Sequence, residues 1–245
     1  MGLRRTSSVF VFFCLAVAIA SAQASQSPDV NQIINRMLAA HQDNKQHLRA
    51  FSVKRNYQLL DKKSESKAEV VANITYRPPN QKQYSIESST GGLGEKILRD
   101  VVAKETETAK DPERRELSRE NYDFKFLREE SVEGRRCYVL GMTPRREDKD
   151  LLRGEVWIDA ENYKIHRVQG RPMKSPSWWI RDLTILMTFT DVGGMWLHTA
   201  TQAVANVRFK GKYMMVSHDV EYHAAGYGLQ SHRNPAIFAG AAVRR

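Results

Sequence analysis

The sequence predicts an α+β fold that is mainly β: a curled antiparallel sheet of roughly ten strands, an unclosed half-barrel, with helices covering the concave face. Three observations carry this expectation. The block from Gly154 to His223 reads as five β-rich runs separated by Ala160-Glu161-Asn162, a Pro-containing loop, Gly193-Gly194 and Gly211-Lys212. Short runs of Val, Ile, Thr, Trp, Phe and Tyr joined by short turns form antiparallel neighbours. Two further segments, near residues 51–60 and 68–77, alternate apolar with polar residues at the period of a half-buried strand. Only two stretches carry helical spacing.

Taken in order, the chain of 245 residues begins with Arg4-Arg5, an apolar run from Val9 to Ala20, and small-residue cleavage motifs at Ala20-Ser21-Ala22 and Ala22-Gln23-Ala24. That is the pattern of a secretory signal peptide over 1–24. Its apolar run is too short for a membrane span. Cleavage leaves Cys137 as the single cysteine, so no internal disulfide is expected, and the thiol reads as a buried, inert one. The formal charge is +10; without Arg4 and Arg5 there are 36 basic and 28 acidic residues, or +8. An exported basic protein suits anionic lipid surfaces or acidic partners. The basic residues are scattered and no nucleic-acid motif is present, so nucleic acid is excluded as a partner.

A single domain is expected over 25–223, followed by a Gly- and Ala-rich tail over 224–245 with no assigned fold. Asp29 caps a helix whose stripe is Val30, Ile33, Ile34, Met37, Leu38 and His41. Gln42 to Arg49 reads as a loose connection. Phe51 to Leu60 is the first strand, with Phe51, Val53, Tyr57 and Leu59 on one face beside Arg55. Ala68 to Arg77 is the second, with Val70, Ala72, Ile74 and Tyr76 on one face, and Pro78-Pro79-Asn80 stops it. Gln83 to Ser88 is a short third strand carrying Tyr84 and Ile86. Glu95 to Lys110 reads as a second helix with Ile97, Val101 and Val102 as its apolar side. The charged stretch Lys104 to Arg119 reads as solvated helix or connector. Tyr122 to Phe126 and Arg136 to Thr143 flank a Glu133-Gly134 hairpin and lead into the Gly154–His223 block.

Catalytic and metal signatures are absent. There is no Gly-x-Ser-x-Gly elbow and no His-Glu-x-x-His. Gly91-Gly92-Leu93-Gly94 is not a phosphate loop, because Lys96 is wrongly spaced. The densest His cluster, His218 to His223, places Asp219, Glu221 and His223 on one strand face. Those three positions span about 13 Å, too far for one ion. The reading is a non-enzymatic protein without metal or cofactor.

A curled sheet with helices in its mouth encloses an apolar groove. If the apolar faces point inward, it is lined by Phe51, Val53, Tyr57, Val70, Ile74, Tyr76, Tyr84, Ile86, Phe124, Phe126, Val156 and Ile158. Trp178-Trp179 after Pro176 add one aromatic to the groove and one to its rim.

Several stretches resemble a known family. The leading helix, the strand from Phe51, and Tyr76-Arg77-Pro78-Pro79-Asn80 followed by Tyr84-Ser85-Ile86 resemble the periplasmic lipoprotein carrier of the LolA-like family. Glu120 to Phe124, Gly134 to Leu140, Gly154 to Asp159 and Ser175 to Ile180 resemble bacterial outer-membrane lipoprotein-sorting proteins. The resemblance implies an unclosed barrel with a helical lid, a cavity for lipid or lipoprotein acyl chains, and a periplasmic or outer-membrane-associated address. It further implies a monomer, a delivery partner in the inner or outer membrane, and a lid-latching role for Arg77. Two other readings stand beside the carrier: an envelope-stress sensor of the same fold that binds a membrane regulator, and a hydrolase.

Overall fold

A computed structural model of the chain describes residues 28–224 and 227–231. The stretch read as a signal peptide and most of the tail lie outside these residues. Helix α1 (Val30–His47) begins where predicted: the Asp29 side chain accepts from the Asn31 N–H at 2.9 Å. It runs six residues past His41, through a stretch read as a loose connection. Asn44 explains the extension. Its side chain donates to the Trp196 carbonyl at 2.9 Å and accepts from the Trp196 N–H at 2.8 Å, tying the last turns to the sheet.

Strands β1 (Phe51–Asp61), β2 (Ser66–Arg77) and β3 (Gln81–Ser89) follow, then α2 (Gly92–Thr108) and a 3₁₀ turn (Glu113–Arg115). Seven strands come next: β4 (Tyr122–Val132), β5 (Arg135–Pro144), β6 (Leu152–Asp159), β7 (Ile165–Pro172), β8 (Ile180–Val192), β9 (Met195–Val207) and β10 (Gly211–Ala224). A short β11 (Tyr227–Ser231), inside the tail that had no assigned fold, pairs with β10. All pairings are antiparallel, in the order β3-β2-β1-β10-β9-β8-β7-β6-β5-β4. Two hairpins use residues with positive φ at both central positions, Glu133-Gly134 and Gly193-Gly194, which matches the strand twist. Gly154 sits against β7 so closely that a Cβ there would lie 2.0 Å from the Gln169 carbonyl oxygen.

The sheet is open, with β3 and β4 as its end strands, and it is not strongly curled. The half-barrel curl expected from strand number is therefore corrected. The concavity comes instead from two helices standing on one face at opposite ends. Helix α2 buries Leu98 and Val102 over β1 and β2, against Val53, Val70, Ala72 and Ile74. Helix α1 buries Ile33, Ile34 and Met37 against Leu140, Met142, Val156, Ile158 and Val168. Two separate helix-covered cores result, one at each end of the sheet, beside a small cluster of Val132, Cys137, Val139 and Trp157. No helix among the described residues is long and apolar enough to cross a membrane.

Candidate functional site

Between the two cores the sheet face is left uncovered, and a cavity of about 1750 Å³ opens there. Its floor is built by strands in the middle of the order: Tyr213 and Met215 of β10, Leu197, Ala203 and Ala205 of β9, Ile185, Met187 and Phe189 of β8, and Val168 of β7. Alternation puts these residues on the same face as the two cores. In the register Ala203 lies opposite Met215 on one side and Ile185 on the other. Small side chains at Ala203 and Ala205 keep the centre of the floor low. The walls are Met37, Leu38 and His41 of α1 and Ile97, Val101 and Glu105 of α2. The volume exceeds the roughly 300–1,000 Å³ of ordinary small-molecule pockets, and the lining is mainly aliphatic and aromatic.

One corner of the cavity is polar. Arg55 points inward from β1 and is buried. Its guanidinium donates to both carboxylate oxygens of Asp219, to Glu105 Oε1 at 2.6 Å and to the His198 carbonyl at 2.8 Å. Glu105, on α2, also accepts from Lys82 Nζ at 2.6 Å and from the Tyr57 hydroxyl at 2.7 Å. The Tyr222 hydroxyl donates to Asp219. Three strands and one helix thus meet in a single charge cluster: β1, β3 and β10 with α2. Opposite Arg55 in the register stands Ala72, whose small side chain leaves room for the guanidinium.

The cluster sets its own titration. Burial pushes the Glu105 carboxyl up, but Arg55 and Lys82 override it and hold the group well below the usual range. Burial raises Asp219 in spite of Arg55. Burial, then the charge of Arg55, lowers His198 to about 3. Within this cluster, as pH falls, the unfolded chain therefore protonates His198 before Glu105, from about pH 6.5. Glu105 adds to the loss below about pH 4.3, as pH drops toward its depressed folded value. Asp219 acts in the opposite sense, since its raised pKa favours the folded state at low pH. Stability is expected to decline below pH 6.5 by up to about 1.4 kcal/mol per pH unit for the His198 proton. His198→Gln should make that decline shallower between about pH 6.5 and 4.5, the rest coming from His41, His166 and His218, which burial also lowers. Denaturant midpoints measured across this range check it; parallel curves for wild type and variant would contradict it.

No family model matches the chain, and neither does any curated protein. Among solved structures it is similar to a DUF1329 family protein from Desulfovibrio piger, at 12% identity over 82% of this chain and 96% of that one, with a TM-score of 0.44. A putative outer-membrane lipoprotein-sorting domain from Vibrio parahaemolyticus shares 14% identity, with 80% and 95% of the two chains covered and a TM-score of 0.40. A LolA-superfamily protein from Nitrosomonas europaea shares 11% identity, with 85% and 96% covered and a TM-score of 0.37. These are distant likenesses, and they carry no argument about ligand or partner.

Of the residues read from sequence as groove-lining, Tyr57, Tyr76, Trp178 and Trp179 border the cavity. Val53, Val70 and Ile74 are fully buried in the core that includes α2, with Phe51 and Ile86 packed at its margin. Val156 and Ile158 are buried in the other core, where Phe124 and Phe126 are partly buried. Tyr84 is exposed on the end strand β3. Arg77 is exposed, and no hydrogen bond or ion pair among the described residues links its side chain to either helix. Arginines that do bind a helix include Arg55, through Glu105 of α2, and Arg119, through Asn31 and Asn35 of α1. Sequence reading placed Arg55 on the apolar face of β1 without giving it a role; a lone charge on such a face was the available signal. Cys137 is buried, and burial pushes its thiol up to about 11. Among the described residues no three His, Cys, Asp or Glu side chains gather as a metal site.

The His218–His223 stretch corrects a face assignment. Arg55 pairs with Asp219 while Lys54 pairs with Glu221, so β10 carries one extra residue, a β-bulge. The bulge reverses the alternation: Asp219 turns into the core and Glu221 stays outside. A strict period of two cannot show this.

Proposed function

We propose that this protein is an exported, non-enzymatic carrier that holds the acyl chains of a lipid or lipoprotein in the cavity between α1 and α2. The observation that supports it is the uncovered apolar floor of β7–β10, open to solvent and larger than a small-molecule pocket. The residue stretches that resemble lipoprotein carriers and sorting proteins point the same way. Each buried methylene contributes about 0.8 kcal/mol, so ten of them give about 8 kcal/mol. That is the free energy of a complex near 1 μM before the cost of association is subtracted. A flat, continuous apolar floor suits flexible chains better than a rigid polar ligand, because the residues at its centre, Ile185, Met187, Ala203, Ala205 and Met215, offer no side-chain hydrogen bonds.

Titration with a fluorescent fatty acid tests this. Saturable enhancement, competed away by unlabelled palmitate, is expected. A protein that is folded yet leaves the probe's emission unchanged would exclude the carrier reading.

A further inference from the structure

At one end of the cavity two connections lie side by side. One joins β7 to β8 and carries Pro176-Ser177-Trp178-Trp179; the other joins β9 to β10 and carries Arg208-Phe209-Lys210. They are tied together. The Arg208 N–H donates to the Trp179 carbonyl at 2.9 Å, Ile180 pairs with Val207, and the Arg208 guanidinium carbon lies 5.6 Å from the Trp178 ring centre. The Lys210 N–H closes its turn on the Val207 carbonyl at 3.1 Å. The two turns are thus held to each other through their backbones.

What they present is unusual. Trp178 is 73% exposed and Phe209 98% exposed. Phe209 also has φ +63°, in the left-handed region that aromatic residues avoid. An Asn or Gly would sit there without strain, so the turn carries a fully exposed aromatic side chain at a conformational cost. Arg208 stands by the Trp178 ring and Lys210 follows Phe209 in its turn; Arg181 and Lys212, both opposite Asn206 in the register, lie at the adjoining strand ends, and none of the four has a carboxylate partner among the described residues. The carboxylate of this end, Asp182, accepts from Asn206 at 3.0 Å. Both Trp178 and Phe209 border the cavity mouth.

We propose that this tip docks on an anionic lipid bilayer. Trp178 and Phe209 enter the headgroup region, where amphipathic and aromatic rings are favoured, and the four cations lie on lipid phosphates. The projecting rings fit a soft interface, and the unpaired cations supply the charge complement. Docking rests on the tip alone. Its use, to bring the cavity mouth against the membrane for loading or release, rests on the carrier reading.

Co-sedimentation of the full chain with vesicles tests the docking without any fatty acid, so its failure is separate from a failure of acyl binding. Wild type should pellet with phosphatidylglycerol–phosphatidylcholine vesicles at low salt and much less with phosphatidylcholine alone. Trp178→Ser with Phe209→Asn should weaken partitioning by at least about tenfold, and Lys210→Gln by about fivefold. Both aromatic sites are exposed and Asn accepts the left-handed turn, so the double variant keeps its fold. A double variant that pellets like wild type overturns the proposal. So does a wild type that pellets equally with neutral vesicles, or with neither kind.

Discussion

Arg55→Ala is expected to destabilise the fold by about 3–5 kcal/mol, because it strips the guanidinium from the buried Asp219 and the half-buried Glu105. Asp219 and Glu105 would then share a corner with no cation between them except Lys82 on the Glu105 side. The loss should fall unevenly. Glu105 is what fastens the C-terminal half of α2 to the sheet, so that half should exchange amide hydrogens faster than the buried Leu98–Val102 turn. Arg55→Lys should recover little, since an ammonium cannot span Asp219, Glu105 and the His198 carbonyl with one planar fork. Urea unfolding of the variants checks this. A loss below about 1 kcal/mol for Arg55→Ala would mean that the cluster is solvated and does not hold the helix.

A charge on the cavity floor should act on binding rather than on folding. Ile185 lies half-buried at the centre of β8, opposite Ala203, with open space above it. Ile185→Glu is expected to reduce fatty-acid affinity by two orders of magnitude or more, on the order of 3 kcal/mol, because an acyl chain would have to desolvate the carboxylate. The unliganded fold should survive, since the new group can stay in water. Thr184→Glu, one residue along on the other face, should leave affinity within about twofold of wild type. Ile74 makes the contrast. It is 1% exposed and shares its core with Leu98 and Val102, so Ile74→Ala should cost about 2–5 kcal/mol of stability. Equal affinity losses in the Ile185 and Thr184 variants would place the acyl chain elsewhere.

The difference between Ile185 and Ile74 shows what was legible in the sequence. Alternation and turn residues gave ten strands in the right places, and the cap at Asp29 gave the start of α1. Alternation also gave the apolar faces of β1 and β2. It could not say where along the sheet face the helices land, which decides whether a residue is core or cavity floor. So Val53, Val70 and Ile74 read as groove residues while Ala203, Met187 and Met215 went unremarked. The second half of α2 was misleading for a related reason. Lys104, Glu105 and Thr106 look like a solvated face, yet Glu105 faces Arg55, and only the tertiary pairing half-buries that charge. The bulge in β10 hid Asp219 in the same way. Curvature was not legible at all, since strand number permits a curl without requiring it.

The most direct measurement is mass spectrometry of lipids extracted from the protein purified out of its own cell envelope. The carrier reading expects acylated molecules near one equivalent per chain in wild type and their loss in Ile185→Glu. Lipid-free wild type, or equal lipid in the two proteins, would contradict it.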